Sequence, residues 1–129
     1  MICVNLSAPA TLTAGAIIPF DNVVCATNDG ITLDENALKI ITPGWYTASI
    51  YAILSSSSAV SDSVYMNQQG NFVEGTEMDF DIPANGTAAI SLEFPIHVVP
   101  ADEGVATITY ESSAAVTIDT ATLIIKRVV

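Results

Sequence analysis

Few side chains in this sequence are able to do chemistry, and their spacing limits what they can do. The single histidine, His97, lies in the run FPIHVV. A catalytic imidazole needs a nucleophile and an orienting acid beside it. No G-x-S-x-G turn or comparable nucleophile signal accompanies it. His97 therefore reads as a strand residue on an outer face or at a subunit contact. Between Glu77 and Asp81, acidic and apolar residues alternate, so an extended backbone places Glu77, Asp79 and Asp81 on one face. Oxygen clusters of this kind suit calcium, but no D-x-D-x-D-G loop spacing is present. A solvated face that discourages edge-to-edge pairing is the expectation. Asp29-Gly30, Asp34-Glu35 and Asp102-Glu103 read as turns. Cys3 and Cys25 are too few for a disulfide scaffold, and with one histidine they fall short of four zinc ligands. Two buried free thiols are expected. Trp45, Tyr46 and Tyr51 have the ring surface to stack on a sugar, yet they share the strand with the strongest burial signal. Core or subunit contact is the better reading of them. Asn5-Leu6-Ser7 and Asn85-Gly86-Thr87 match the glycosylation sequon, which carries meaning only in an exported chain. No carboxylate pair is singled out for glycoside hydrolysis, and no Gly-rich phosphate loop exists. The sequence thus predicts no catalytic residue, no cofactor and no metal, and a protein that is not an enzyme.

The elements that hold these residues are strands. Val, Ile and Thr are abundant and helix formers scarce, and no window sustains a 3.6-residue apolar period. Short apolar or alternating runs recur between turn signals. They predict strands over 13–20, 23–26, 31–33, 38–41, 45–54, 78–82, 87–99, 105–111 and 116–128, with a shorter one over 2–6. A hairpin pairs 63–68 with 71–74 across Gln69-Gly70. Pro19 and Pro95 point to bends, bulges or edge positions. Strands at this spacing read as an all-β, two-sheet antiparallel sandwich or barrel. A short N-terminal lead or docking segment, 1–12, precedes a domain over 13–129.

Alternation in the strand 45–54 sends Tyr46, Ala48, Ile50, Ala52 and Leu54 to one face and Trp45, Thr47, Ser49, Tyr51 and Ile53 to the other. Both faces carry large groups, so both must be covered. One cover is the opposite sheet, and a neighbouring subunit is a candidate for the other. The closing strand repeats the hint, since Ile118, Leu123, Ile124 and Ile125 cannot all point one way.

Charge narrows the partners. In 129 residues, 14 acids face 3 bases, for a formal charge of -11, while only 13% of residues are charged. That balance repels nucleic acid and anionic lipid. A surface rich in Ala, Ser, Thr and Val and poor in charge suits a chain partly covered by copies of itself. No segment reads as an export signal or membrane span.

Three stretches carry a family resemblance: AGAIIPFDNVV at 14–24, LKIITPGWYTASI at 38–50 and VTIDTATLIIKRV at 116–128. Their order and spacing resemble the tumour-necrosis-factor-like jelly roll, whose relatives include complement globular heads and the tips of bacterial collagen-like surface proteins. The look is similar in particular to short bacteriophage head-fibre and capsid decoration proteins. The resemblance implies a ten-strand jelly roll in two sheets, forming a homotrimer. It implies a structural role on the virion surface, beside other capsid proteins, for a chain made in the bacterial host cytoplasm. The alternative it leaves open is a receptor- or glycan-binding tip of a phage fibre or bacterial surface protein, with loops over 55–62 and 76–86 carrying specificity. Tyr46, Ala48, Ile50, Tyr51, Leu123 and Ile125 are the positions that match core or trimer-interface elements.

Overall fold

A computed structural model describes residues 1–27, 30–99 and 106–128. Strands account for all of its regular structure. The first sheet contains β1 (Ile2–Asn5), β2 (Ala10–Leu12), β4 (Asn22–Ala26), β7 (Gly44–Ser56), β11 (Gly86–Val98) and β13 (Val116–Arg127). Its order is β11-β7-β13-β1-β4, with β2 on the early part of β13. The second contains β3 (Ala16–Ile17), β5 (Ile31–Asp34), β6 (Ala37–Ile40), β8 (Val60–Gln68), β9 (Asn71–Phe72), β10 (Met78–Ile82) and β12 (Ala106–Ser112). Its order is β10-β8-β12-β6-β5, with β3 beside β12 and β9 beside β8. The chain passes repeatedly between the two sheets and every pairing is antiparallel, which makes a jelly-roll sandwich.

The core is the period-2 pattern made physical. Tyr46, Ala48, Ile50, Ala52 and Leu54 of β7 point inward and are buried. The Tyr46 hydroxyl donates to the Thr42 carbonyl at 2.6 Å, so the ring is buried with its polar end satisfied. Leu38, Ile40, Val64, Met66, Ile108 and Tyr110 meet this layer from the second sheet. Burial pushes the Tyr110 phenol pKa far above its ordinary value.

In β13 the register against β7 shifts between Ile118 and Thr120. That bulge resets the alternation, so Val116 and Ile118 face inward before it and Ala121, Leu123 and Ile125 after it. The conflict in the closing strand is resolved this way, with Ile124 left half-buried on the outer face. Pro95 sits in β11, the edge strand of its sheet, where no second neighbour among the described strands requires its missing N–H.

One expectation changes. The predicted strand over 13–20 is broken. Gly15 turns with φ of +79°, Ala16–Ile17 pairs with β12, and the chain returns to the first sheet at β4. The segment crosses the sandwich edge, and Ile18 and Phe20 plug the core there. The turn expected at Asp34-Glu35 closes the β5–β6 hairpin, with Glu35 and Asn36 both at positive φ. Residues 1–12 contribute β1 and β2 to the first sheet, and Ile2 and Val4 are buried in the same core as the rest.

Leu54 has no exposed surface, whereas Ile41 is 55% exposed. Leu54→Ala is expected to lower unfolding free energy by about 2–5 kcal/mol. Ile41→Ala should change it by about 0.5 kcal/mol or less. Chemical denaturation at one fixed protein concentration checks both.

Candidate interaction surface

Inward residues of β7 force their neighbours outward, so the outer face of the first sheet is set by the same alternation. Across its centre run Ser91 of β11, Tyr51 of β7 and Thr122 of β13. A second row joins Glu93, Ser49, Ile124 and Cys3. Tyr51 is 48% exposed and Trp45 47% exposed. His97 lies directly opposite Trp45 on β11, and the two rings stack at 4.2 Å with an interplanar angle of 2°. The face is otherwise small and hydroxylic, with Thr47, Ser49, Thr120 and Thr122 around half-buried Ile53 and Ile124. Glu93 and Lys126 are its central charges, opposite in sign. The Ser49 hydroxyl donates to Glu93 at 3.2 Å.

The outer face of the second sheet has the opposite character. Asp79, Asp81 and Glu111 lie there, opposite Ser63, Ser61 and Tyr65. The Ser61 hydroxyl donates to Asp81 at 2.8 Å, and the Tyr65 hydroxyl donates to Glu111 at 2.7 Å. The bond to Glu111 is the main cause that raises the Tyr65 pKa. Phe72 packs edge-on against Tyr65 at 5.4 Å. Lys39 pairs with Asp34, and the hydrogen bond between them raises the lysine pKa. Glu77 is exposed and precedes β10. Among the described residues, no group of three or more His, Cys, Asp or Glu side chains could hold a metal ion.

At one pole the β7–β8 turn and the β10–β11 turn meet. A shallow depression of about 410 Å³ is lined there by Ser55, Ser56, Ser57, Asn85, Gly86, Thr87 and Thr117. The loops expected over 55–62 and 76–86 are mostly strand, which reduces the irregular parts to 57–59, 76–77 and 83–85. At the first sheet's edge, the Ser7 N–H and hydroxyl both donate to the Asp21 carboxylate, at 2.8 and 2.5 Å. Asn22 Nδ2 donates to Asn5 Oδ1 at 2.8 Å. These bonds tie the start of β4 to the end of β1.

The predicted site residues separate by parity. Tyr46, Ala48, Ile50, Leu123 and Ile125 lie in the inter-sheet core, and Tyr51 lies on the outer face with Trp45. The two aromatics expected to be covered, Trp45 and Tyr51, are half exposed in the single chain. The thiols expected to be buried are not. Cys3 is partly exposed and Cys25 exposed, because Cys3 lies in the outward row with Ile124 and its partner Cys25 is on the edge strand β4. The turns at Asp29 and at Asp102-Glu103 lie outside the described residues. The Trp45–His97 stack is invisible in the sequence, since 52 residues separate its partners and only the β7–β11 register joins them. Outward parity at both positions is the one signal that points to it.

The globular domain of zebrafish complement 1qA is similar in structure, with a TM-score of 0.68 at 9% identity, covering 95% of this chain and 94% of that one. Eiger TNF from S. frugiperda aligns with a TM-score of 0.68 at 11% identity, over 99% and 92% of the two chains. PRD1 vertex protein P5 aligns with a TM-score of 0.50 at 16% identity, over 95% and 93%. The fold is therefore the tumour-necrosis-factor-like and complement-head jelly roll. No family model matches the sequence, and no curated protein matches it.

The Ser7 hydroxyl, then the Ser7 N–H, holds the Asp21 carboxyl below its usual value. A depressed carboxyl adds stability above its unfolded pKa, and the gain is lost as pH falls through the folded value. Ser7→Ala is expected to raise the Asp21 pKa toward the ordinary carboxylate value. Carboxyl chemical shifts followed through an acid titration check this, and an unmoved Asp21 would contradict the arrangement.

Proposed function

We propose that this protein is a non-enzymatic structural module that assembles as a homotrimer and is displayed on a virion surface as a head fibre or capsid decoration. The observation that carries the trimer is the outer face of the first sheet. It exposes Trp45 and Tyr51 among small hydroxylic residues. A chain of formal charge -11 associates with its own copies most readily through a surface where its acids are sparse. This face meets that requirement, and the outer face of the second sheet, with Asp79, Asp81 and Glu111, does not. Rigid aromatics in a charge-poor patch are also the composition that interface centres favour.

In this reading Tyr51 packs near the threefold axis, while Tyr46, Ala48, Ile50, Leu123 and Ile125 hold the strands beneath it. The virion placement is supported by the likeness to PRD1 vertex protein P5. Other capsid proteins are then the partners, and neither nucleic acid nor membrane is one. Ile2 and Val4 are committed to the core, so exposed Ser7, Ala8, Pro9 and Thr11 are the part of the N-terminal lead most open to a partner. A second reading, a receptor- or glycan-binding tip, is favoured by the hydroxyl- and amide-lined depression where the 57–59 and 83–85 turns meet.

Sedimentation should give three times the chain mass of 13.5 kDa at micromolar concentration. Tyr51→Arg is expected to yield monomers that keep a β-sheet circular dichroism spectrum. A monomeric wild type would overturn the trimer, and a flanking gene for a major capsid protein would support the virion placement.

A further inference from the structure

Cys3 of β1 and Cys25 of β4 are direct partners in the antiparallel ladder. Residues opposite one another in such a ladder have Cα atoms about 4.5–5.5 Å apart. That range lies inside the roughly 4.4–6.8 Å window that disulfides occupy. Opposed residues also send their side chains to the same side of the sheet. Both thiols are free in the structure, and Cys25 is open to solvent. The strand that carries Cys25 is weakly held. All five residues of β4 are exposed, including Val23 and Val24, and the strand pairs with β1 alone among the described strands. Its ladder is interrupted next to the cysteines, where the register passes from Cys3↔Cys25 to Val4↔Val23 and leaves Val24 as an extra residue.

We propose that Cys3 and Cys25 form a reversible intrachain disulfide that staples edge strand β4 to β1 when the chain meets a small-molecule disulfide oxidant. Cys25, the exposed thiol, loses its proton to water and attacks one sulfur of the oxidant RSSR. A Cys25–SR mixed disulfide forms and RS⁻ leaves, taking up a proton. Cys3 then loses its proton to solvent and attacks the Cys25 sulfur, which breaks the bond to SR and releases a second RS⁻, protonated in turn. Two protein thiols give up two electrons and two protons, and one RSSR becomes two RSH. Burial, the charge of Cys25 and a hydrogen bond with Cys25 raise the Cys3 pKa, which suits it to resolve rather than initiate. The closed form holds β4 to β1 covalently across its one ladder, so the gain falls on local opening of this edge.

The two thiols lie at the β1–β4 edge of the face proposed for the trimer, and the test uses the full chain in whatever assembly it takes. The reduced, desalted protein is incubated with glutathione disulfide under native conditions and followed by intact mass, thiol alkylation and non-reducing electrophoresis. The expected product is a single chain lighter by two hydrogens, about 2 Da, with both thiols blocked and fully restored by dithiothreitol. Cys3→Ser should instead stop at a glutathione adduct on Cys25, and amide exchange over 22–26 should slow at least about tenfold in the oxidised wild type. Stable glutathione adducts on wild type, interchain dimers, thiols that stay alkylatable, or unchanged exchange over 22–26 would each overturn the proposal. Should Cys3→Ser fail to fold, Cys25→Ser provides the control. It is expected to resist glutathionylation at Cys3, and ready modification of Cys3 would overturn the assigned order of attack.

Discussion

The ladder on both sides of β7 is the constraint on which the rest of the first sheet depends. β7 pairs with β11 from Gly44 to Ser56 and with β13 over most of the same length. A strand held on both sides cannot slip by one residue without turning its entire inward set to the outside. The inward set is Tyr46, Ala48, Ile50, Ala52 and Leu54, so the burial of these five fixes the register. The outward set, Trp45, Thr47, Ser49, Tyr51 and Ile53, then has no freedom of its own. The candidate interaction surface is a consequence of core packing.

That dependence explains why the bulge in β13 matters. Without the shift between Ile118 and Thr120, either Ile118 or the pair Leu123 and Ile125 would face outward. With it, both ends of a twelve-residue strand bury apolar groups, and the outer face keeps Thr120, Thr122, Ile124 and Lys126. Polar spacing between the aromatics leaves a face that one chain tolerates in water and that copies can cover. Asp79, Asp81 and Glu111 gather on the other sheet, away from this face. The same logic, carried to the sheet's far side, leaves β4 without cover and brings two thiols together at an edge.

Several features are legible in the residues themselves. The β-branched composition and turn dipeptides mark most strands, and Gln69-Gly70 marks the β8–β9 hairpin, whose turn residues sit at positive φ. Parity along β7 is enough to separate Tyr46 from Tyr51. The turn expected at Asp34-Glu35 is legible from its polar residues, but its placement at Glu35-Asn36, one residue further on and without a glycine, follows from the pairing of β5 with β6. The break in 13–20 is hidden because an apolar run reads alike whether it forms one strand or crosses between sheets.

Residue type and order were enough to set the all-β class, the two-faced character of β7, the scarcity of chemistry and the acidic charge. Each follows from composition or from a period of two, both of which are local properties. Which residues meet was decided only by the folded arrangement: Trp45 with His97, Tyr65 with Glu111, Cys3 with Cys25. These pairs are 52, 46 and 22 residues apart in the chain. Strand order and register bring them together, and both are set by the collective burial of the core rather than by any residue in the pair.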